Sequence, residues 1–210
     1  MDALVTKVLR EYDERMAREH ELTRSLGEAD FDRRKNEFLL PIGAAAGQFL
    51  NMLIKSANCQ CIIEVGTSFG YSTIWLAEAA RATGGKVVSL ELAEAKVDYA
   101  RKRLRQAGLS SYVEFKIGDA LGSIAALDEP IDFVLIDLWK DLYVPVLEAL
   151  YPRLRSGARL AADNIIEPPS SAVVAALYVA AVKLKPGVES VTVPIGNGIE
   201  LSRYTQPMRA

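Results

Sequence analysis

The chain has very little cysteine or histidine. Among its 210 residues there are two cysteines, Cys59 and Cys61, and a single histidine, His20. With only one residue between them at the entry to a strand, they are not expected to bond to each other. With no disulfide framework, a reducing cytoplasm is the expected compartment. An excess of charge is also missing: 25 Lys and Arg stand against 27 Asp and Glu, a net charge of −2. Neither nucleic acid nor an anionic membrane is expected as a partner on that balance. The one dense basic run, Arg101–Arg105, falls on a predicted helix and reads as a solvated face. There is no apolar run of membrane-spanning length and no signal peptide is read at the start. Repeats and low-complexity tracts are absent as well.

Half of the residues are hydrophobic and a quarter charged, enough for one well-cored α/β domain over 1–210. Residues 1–58 read as a helical arm and lead-in, and 59–210 as the core. The arm opens with a charged helix over 2–26, in which Leu4, Val5, Val8, Leu9 and Tyr12 recur at helical spacing until Gly27. That stripe suits the domain, a second copy or the active site equally well. A second helix follows Pro41, with Phe49, Leu50, Leu53 and Ile54 on one side.

From Cys61 strands and helices alternate. Strands are predicted at 61–65, 86–91, 112–117, 131–136 and 158–163, and helices at 71–82, 94–107, 120–126, 141–154 and 170–184. Such alternation implies parallel βαβ units with right-handed crossovers. Two further strands, 188–193 and 198–203, are joined through PIGNG and read as an antiparallel hairpin. The expected fold is a doubly wound, Rossmann-like sheet of seven strands, mostly parallel, preceded by helices.

The stretch that organises this pattern is Cys61–Ser72, CIIEVGTSFGYS. A buried strand ends in an acid and opens into a loop with Gly66 and Gly70, whose freedom allows a sharp bend and close approach to a ligand. The helix that follows aims its first N–H groups over the loop, a setting for a nucleotide-like molecule. The spacing is not the G-x-G-x-x-G of dinucleotide sites.

Ligands of an open parallel sheet bind beyond the carboxyl ends of its strands. Here every such end carries an acid: Glu64, Glu91, Asp119, Asp137 and Asp163. Glu91 is placed to accept hydrogen bonds from ribose hydroxyls, and Asp119 to meet an adenine amine. Asp137, Asp163 and Asn164 offer three oxygen donors from neighbouring strand ends, a set suited to a hard divalent cation such as Mg²⁺. Lys140, three residues past Asp137, can curl back over that rim as a base. Trp139 is either core or a face for an adenine to pack on.

The pieces GAAAGQFL, EVGTSFGYS, SLE, GDA, IDLWKDLY, ADN and PIGNGIELSRY together resemble the cation-dependent O-methyltransferases, the family of the catechol and caffeoyl-CoA enzymes. The resemblance runs from about Phe38 onward. It implies that Ile42, Glu64, Gly66, Ser68, Ser72, Glu91, Asp119, Ala120, Asp137 and Trp139 hold S-adenosylmethionine. It further implies Asp137, Asp163 and Asn164 for Mg²⁺, Lys140 as base, and Phe38, Lys140, Asn164 and Pro168 around a flat aromatic acceptor such as a catechol. Leu138 stands where the animal catechol enzyme has histidine, and 164–193 is shorter than in the caffeoyl-CoA branch, which disfavours a CoA ester. Family members are often dimers, so a homodimer is a further expectation. Three other readings remain open at this point: methyl transfer to a nitrogen or a non-chelating hydroxyl, an NAD-binding oxidoreductase, and a non-catalytic binding module.

Overall fold

A computed structural model describes residues 1–207. Its centre is β1 (Cys61–Val65), hydrogen-bonded in parallel to β2 (Lys86–Glu91) on one side and β4 (Ile131–Ile136) on the other. Outward from these lie β3 (Val113–Ile117), β5 (Leu154–Ala162), β6 (Val188–Val193) and β7 (Ile199–Tyr204), giving the order β3-β2-β1-β4-β5-β7-β6. The first five strands run parallel, and β7 is antiparallel to both β5 and β6. The strand order reverses between β1 and β4, and that reversal leaves a crevice beyond their carboxyl ends.

Successive strand residues face opposite sides, so the near-continuous apolar runs of β1 and β4 feed two cores. Ile62, Phe133 and Leu135 pack with α1 (Ala3–Ser25), α3 (Ala44–Ser56), α4 (Tyr71–Thr83) and α5 (Glu94–Gln106). Ile63, Val65, Val134 and Ile136 pack with α6 (Ala120–Ala125), α7 (Tyr143–Leu150) and α8 (Ala172–Lys183). Both layers of helices are therefore specified by the alternation of one short strand.

The ambiguous stripe of the arm faces the domain except at Leu4, which is exposed. Asp2 caps α1 by accepting from the Val5 amide at 3.0 Å, and Val5, Val8, Leu9 and Tyr12 are buried. Tyr12 donates its hydroxyl to the Phe69 carbonyl at 2.6 Å, and Arg103 of α5 donates to the Val8 carbonyl at 3.1 Å. The arm thus reaches the glycine loop directly.

Two boundaries depart from expectation. β5 begins at Leu154, where the sequence pattern continues a helix, because Leu154 pairs with Ile131 across a register shift. A short helix, α2 (Glu28–Arg34), and a 3-10 turn (Lys35–Glu37) follow Gly27 where no element was expected. Phe31 of α2 stacks on Phe38 with centroids 6.1 Å apart and planes 2° from parallel, and the Leu39 amide donates to Glu19 at 2.7 Å. Among the described residues no helix is long and apolar enough to cross a membrane.

Candidate active site

The crevice is closed by two loops. Leu39–Ile42 forms one lip and Gly66–Ser72 the other, with Asp137 at the base. Ile42, Gly66, Ser68, Ser72 and Asp137 are all part of that lining. The glycine loop is shaped by backbone bonds: the Gly66 and Thr67 amides both donate to the Leu90 carbonyl, at 3.0 and 3.1 Å. Gly70, at φ +88°, starts α4. Ser68 also lies in the left-handed region, at φ +47°, and its amide donates to Glu91 Oε2 at 2.7 Å. The other oxygen of Glu91 accepts from the Ala93 amide at 3.0 Å. Glu91 is thus oriented toward the loop by two backbone donors.

Glu64 lies beneath the loop and is fully buried. It accepts from the hydroxyls of Ser72 at 2.6 Å, Thr73 at 2.7 Å and Ser89. Three donors that favour the carboxylate oppose its burial, and burial wins: the Glu64 carboxyl is pushed up to about 7. Its folded value exceeds the 4.5 of the free group, so between pH 4.5 and 7 the folded state holds a proton that the unfolded chain has released. Stability from this group falls over that window, by about 3 kcal/mol in full, and is level above it. Glu64→Gln is expected to remove that part of the pH dependence. Urea unfolding of both proteins at pH 5 and 7.5 measures it, and an unchanged difference between the two pH values would refute the assignment.

Asp119 is exposed and caps α6, accepting from the Gly122 amide at 2.7 Å. It and Ala120 stand outside the lining residues. Trp139 is 49% exposed, with the Lys35 ammonium 4.6 Å from its ring centroid. That contact brings the turn after α2 over the β4 end of the crevice. Phe38 is buried against Phe31, and Pro168 is exposed beyond Asn164.

The densest chemistry lies where β4 and β5 end. Asp163 is 2% exposed, and its Oδ1 is buried without a hydrogen-bond partner. Burial holds both Asp137 and Asp163 well above the ordinary carboxylate range, and the charge of Asp137 raises Asp163 further. Lys140 donates to the Tyr143 hydroxyl at 2.7 Å and to Asn164 Oδ1 at 3.1 Å. Burial lowers its pKa, while the charges of Asp137 and Asp163 pull it back up. Asn164 takes φ +54° to present that oxygen. Among the described residues no three His, Cys, Asp or Glu side chains gather as a metal cluster; the set here is two carboxylates and an amide.

One residue of this cluster escaped the sequence reading. Tyr143 is fully buried and donates to the Asp163 carbonyl at 3.1 Å, so a single hydroxyl ties the lysine to the strand end that bears the acids. Its position, three residues after Lys140 in a 3-10 turn, is the signal that would have found it.

Known proteins resemble this chain in sequence and in fold. The family model described as O-methyltransferase covers residues 13–205. The chain is 35% identical over 128 residues to the catechol O-methyltransferase of Mycobacterium tuberculosis strain H37Rv, across 60% of this chain and 58% of that protein. It is 27% identical over 190 residues to the caffeoyl-CoA O-methyltransferase of Eucalyptus gunnii, across 80% and 75%. The catechol O-methyltransferases of M. tuberculosis and Niastella koreensis are matched over less than two thirds of their own length. Among solved structures, cofactor-bound Rv0187 from MTB superposes with a TM-score of 0.77 at 26% identity, covering 99% of this chain and 92% of that one. The chain belongs to the O-methyltransferase family, the one that includes the catechol and caffeoyl-CoA enzymes.

Proposed function

We propose that the protein moves the methyl group of S-adenosylmethionine to a hydroxyl of a catechol-like small aromatic molecule, with a divalent cation such as Mg²⁺ as cofactor. The observation that carries this reading is Lys140, held between Tyr143 and Asn164 beside two buried carboxylates, one with an orphaned oxygen. Asp137, Asp163 and Asn164 fit a hard cation. The unpartnered Asp163 Oδ1 is a buried acceptor in want of a partner, and paired carboxylates at close quarters favour a positive charge between them. When bound there, the cation supplies a charge that lowers the pKa of a coordinated hydroxyl.

The chain's own residues do the rest. The loop Gly66–Ser72 and Glu91 hold the donor, with Ile42 closing the opposite lip. Phe38 and Pro168 are the proposed walls for the flat acceptor. Lys140 Nζ takes the proton from the attacking hydroxyl. Its amine is made available by burial, and neutralising Asp137 and Asp163 removes the two charges that hold its proton. The oxygen then forms a bond to the methyl carbon as the carbon–sulfur bond breaks, and the sulfur keeps the electron pair. Because the donor is already activated, positioning is the protein's main contribution, worth about 7–11 kcal/mol when the geometry is right.

The test is product formation from a catechol and S-adenosylmethionine, with Mg²⁺ or with excess chelator. Methylated catechol is expected with the cation and only a trace without it; equal rates would overturn the metal assignment. Calorimetry with S-adenosylmethionine and with NAD separates the two cofactor classes, and heat from NAD alone would overturn the reaction itself.

A further inference from the structure

The inward face of α1 continues past its apolar stripe. Val5, Val8 and Tyr12 are followed at the same helical spacing by Arg15 and Glu19. Arg15 Nε donates to Glu19 Oε1 at 2.5 Å, and the two side chains are only 21% and 16% exposed. A charged pair on a solvated face would contribute little; this one is drawn inward, and each member reaches a different lip of the crevice.

Glu19 holds the first lip. Its second oxygen, Oε2, accepts from the Leu39 amide at 2.7 Å. Arg15 holds the other. Its guanidinium lies 4.3 Å from the centroid of the Phe69 ring, a cation over an aromatic face, and it also donates to the Glu37 carbonyl at 3.2 Å. One turn earlier Tyr12 takes the Phe69 carbonyl itself. Both lips need such support. Leu40, next to Leu39, has φ +42°, and Ser68, next to Phe69, has φ +47°. Left-handed backbone is unfavourable for a residue with a side chain and persists where the surroundings over-determine it. In each lip the strained residue adjoins the one that α1 grips, and Leu40 and Ser68 both line the crevice.

We propose that Arg15 and Glu19 form a clasp that fixes the spacing of the two lips and thereby sets the affinity for the methyl donor. The proposal rests on the reading of the crevice as the donor site. Neither residue is among those that line it, so each is a positioning residue that acts through a lip. Their described hydrogen bonds and ring contacts do not reach the ends of β4 and β5, where the acceptor chemistry is placed. Opening the clasp therefore weakens the donor and spares the step that follows its binding.

The experiment pairs calorimetry of S-adenosylmethionine with amide exchange at Leu39, the latter on protein without donor. Glu19→Ala is expected to weaken the donor about tenfold, the size of one charge-assisted hydrogen bond. It should speed exchange at Leu39 and leave the rate at saturating donor within about twofold. Glu19→Gln, which keeps an oxygen for the Leu39 amide, should recover most of the affinity. Arg15→Met should resemble Glu19→Ala, and the double variant should lose no more than either alone, because the pair acts as a unit. Asp2→Ala is the control for a merely structural arm. Asp2 caps the start of the same helix and pairs with Arg81 at 2.7 Å, so its loss should lower the melting temperature and leave donor affinity unchanged. Full donor affinity in Glu19→Ala overturns the proposal, as does an equal loss in Asp2→Ala. Exchange at Leu39 that stays slow in Glu19→Ala overturns the clasp alone. Absence of heat from the parent protein with S-adenosylmethionine overturns the donor reading, and the donor role of the pair with it.

Discussion

Lys140→Met is expected to lower kcat by about 10²- to 10⁴-fold, the range a positioned general base contributes. Methionine keeps the length and apolar stem of lysine and loses only the nitrogen. The partners that remain are mild ones: the Tyr143 hydroxyl still donates to the Asp163 carbonyl, and Asn164 Oδ1 can turn to water. The fold should therefore persist. Since Lys140 makes no contact with the loop Gly66–Ser72 among its hydrogen bonds, the affinity for S-adenosylmethionine is expected to stay within a few-fold. The measurement pairs single-turnover rates on a catechol with calorimetry of the methyl donor. A variant with full kcat would remove Lys140 from the chemistry, and one that loses donor binding in step with kcat would mean that the lysine serves the fold of the crevice instead.

The ease with which that lysine was found in the sequence has a physical basis. The closing runs of β4 and β5, Phe133–Ile136 and Leu160–Ala162, are apolar and buried to the last residue, as expected of parallel strands covered on both faces. The first polar residues after the runs, Asp137 and Asp163, are then forced to the carboxyl rim. What was not legible depends on distant parts of the chain. α2 is EADFDRR, whose two apolar residues, Ala29 and Phe31, are too few to set a helical period, and no periodicity announces it. Its Phe31 stacks on Phe38, and the turn that follows it is held by Arg15 and Glu19 of the first helix, contacts that no local pattern encodes. The start of β5 was hidden for a similar reason, because Leu150 and Leu154 stand at helical spacing and only the pairing with Ile131 assigns Leu154 to the sheet. The side to which α1 turns its stripe was likewise open, since amphipathicity states that a face is covered and leaves the cover unnamed.

The glycine loop shows how a correct motif can rest on an incomplete reason. Gly66 was expected to let a ligand approach the backbone. In the structure it admits another strand end: a Cβ built on Gly66 falls 1.9 Å from the Asp137 carbonyl oxygen and 2.7 Å from its carbon. The Asp137 amide also donates to the Val65 carbonyl at 2.9 Å, so the contact is backbone against backbone and has no rotamer to yield. At φ +104° the residue is also outside the region that L side chains accept.

Gly66→Ala is accordingly expected to cost about 2–6 kcal/mol, the sum of backbone strain and overpacking. In a chain of 210 residues that corresponds to a fall in melting temperature of roughly 10 °C. Gly84→Ala is the control that separates the two costs. Gly84 also has positive φ, +74°, but nothing lies within 4 Å of the Cβ it would gain, so its replacement is expected to cost about 1 kcal/mol. Only the first change should reach the chemistry. Pushing Asp137 away from β1 moves the acid rim relative to the loop proposed to hold the donor, and a displacement of about 1 Å between reacting groups can cost about 10²-fold in rate. Thermal melts and kcat on a catechol, measured for both variants, give the comparison. If Gly66→Ala proved no less stable and no less active than Gly84→Ala, the close approach of the two strand ends would not be what sets the geometry of methyl transfer.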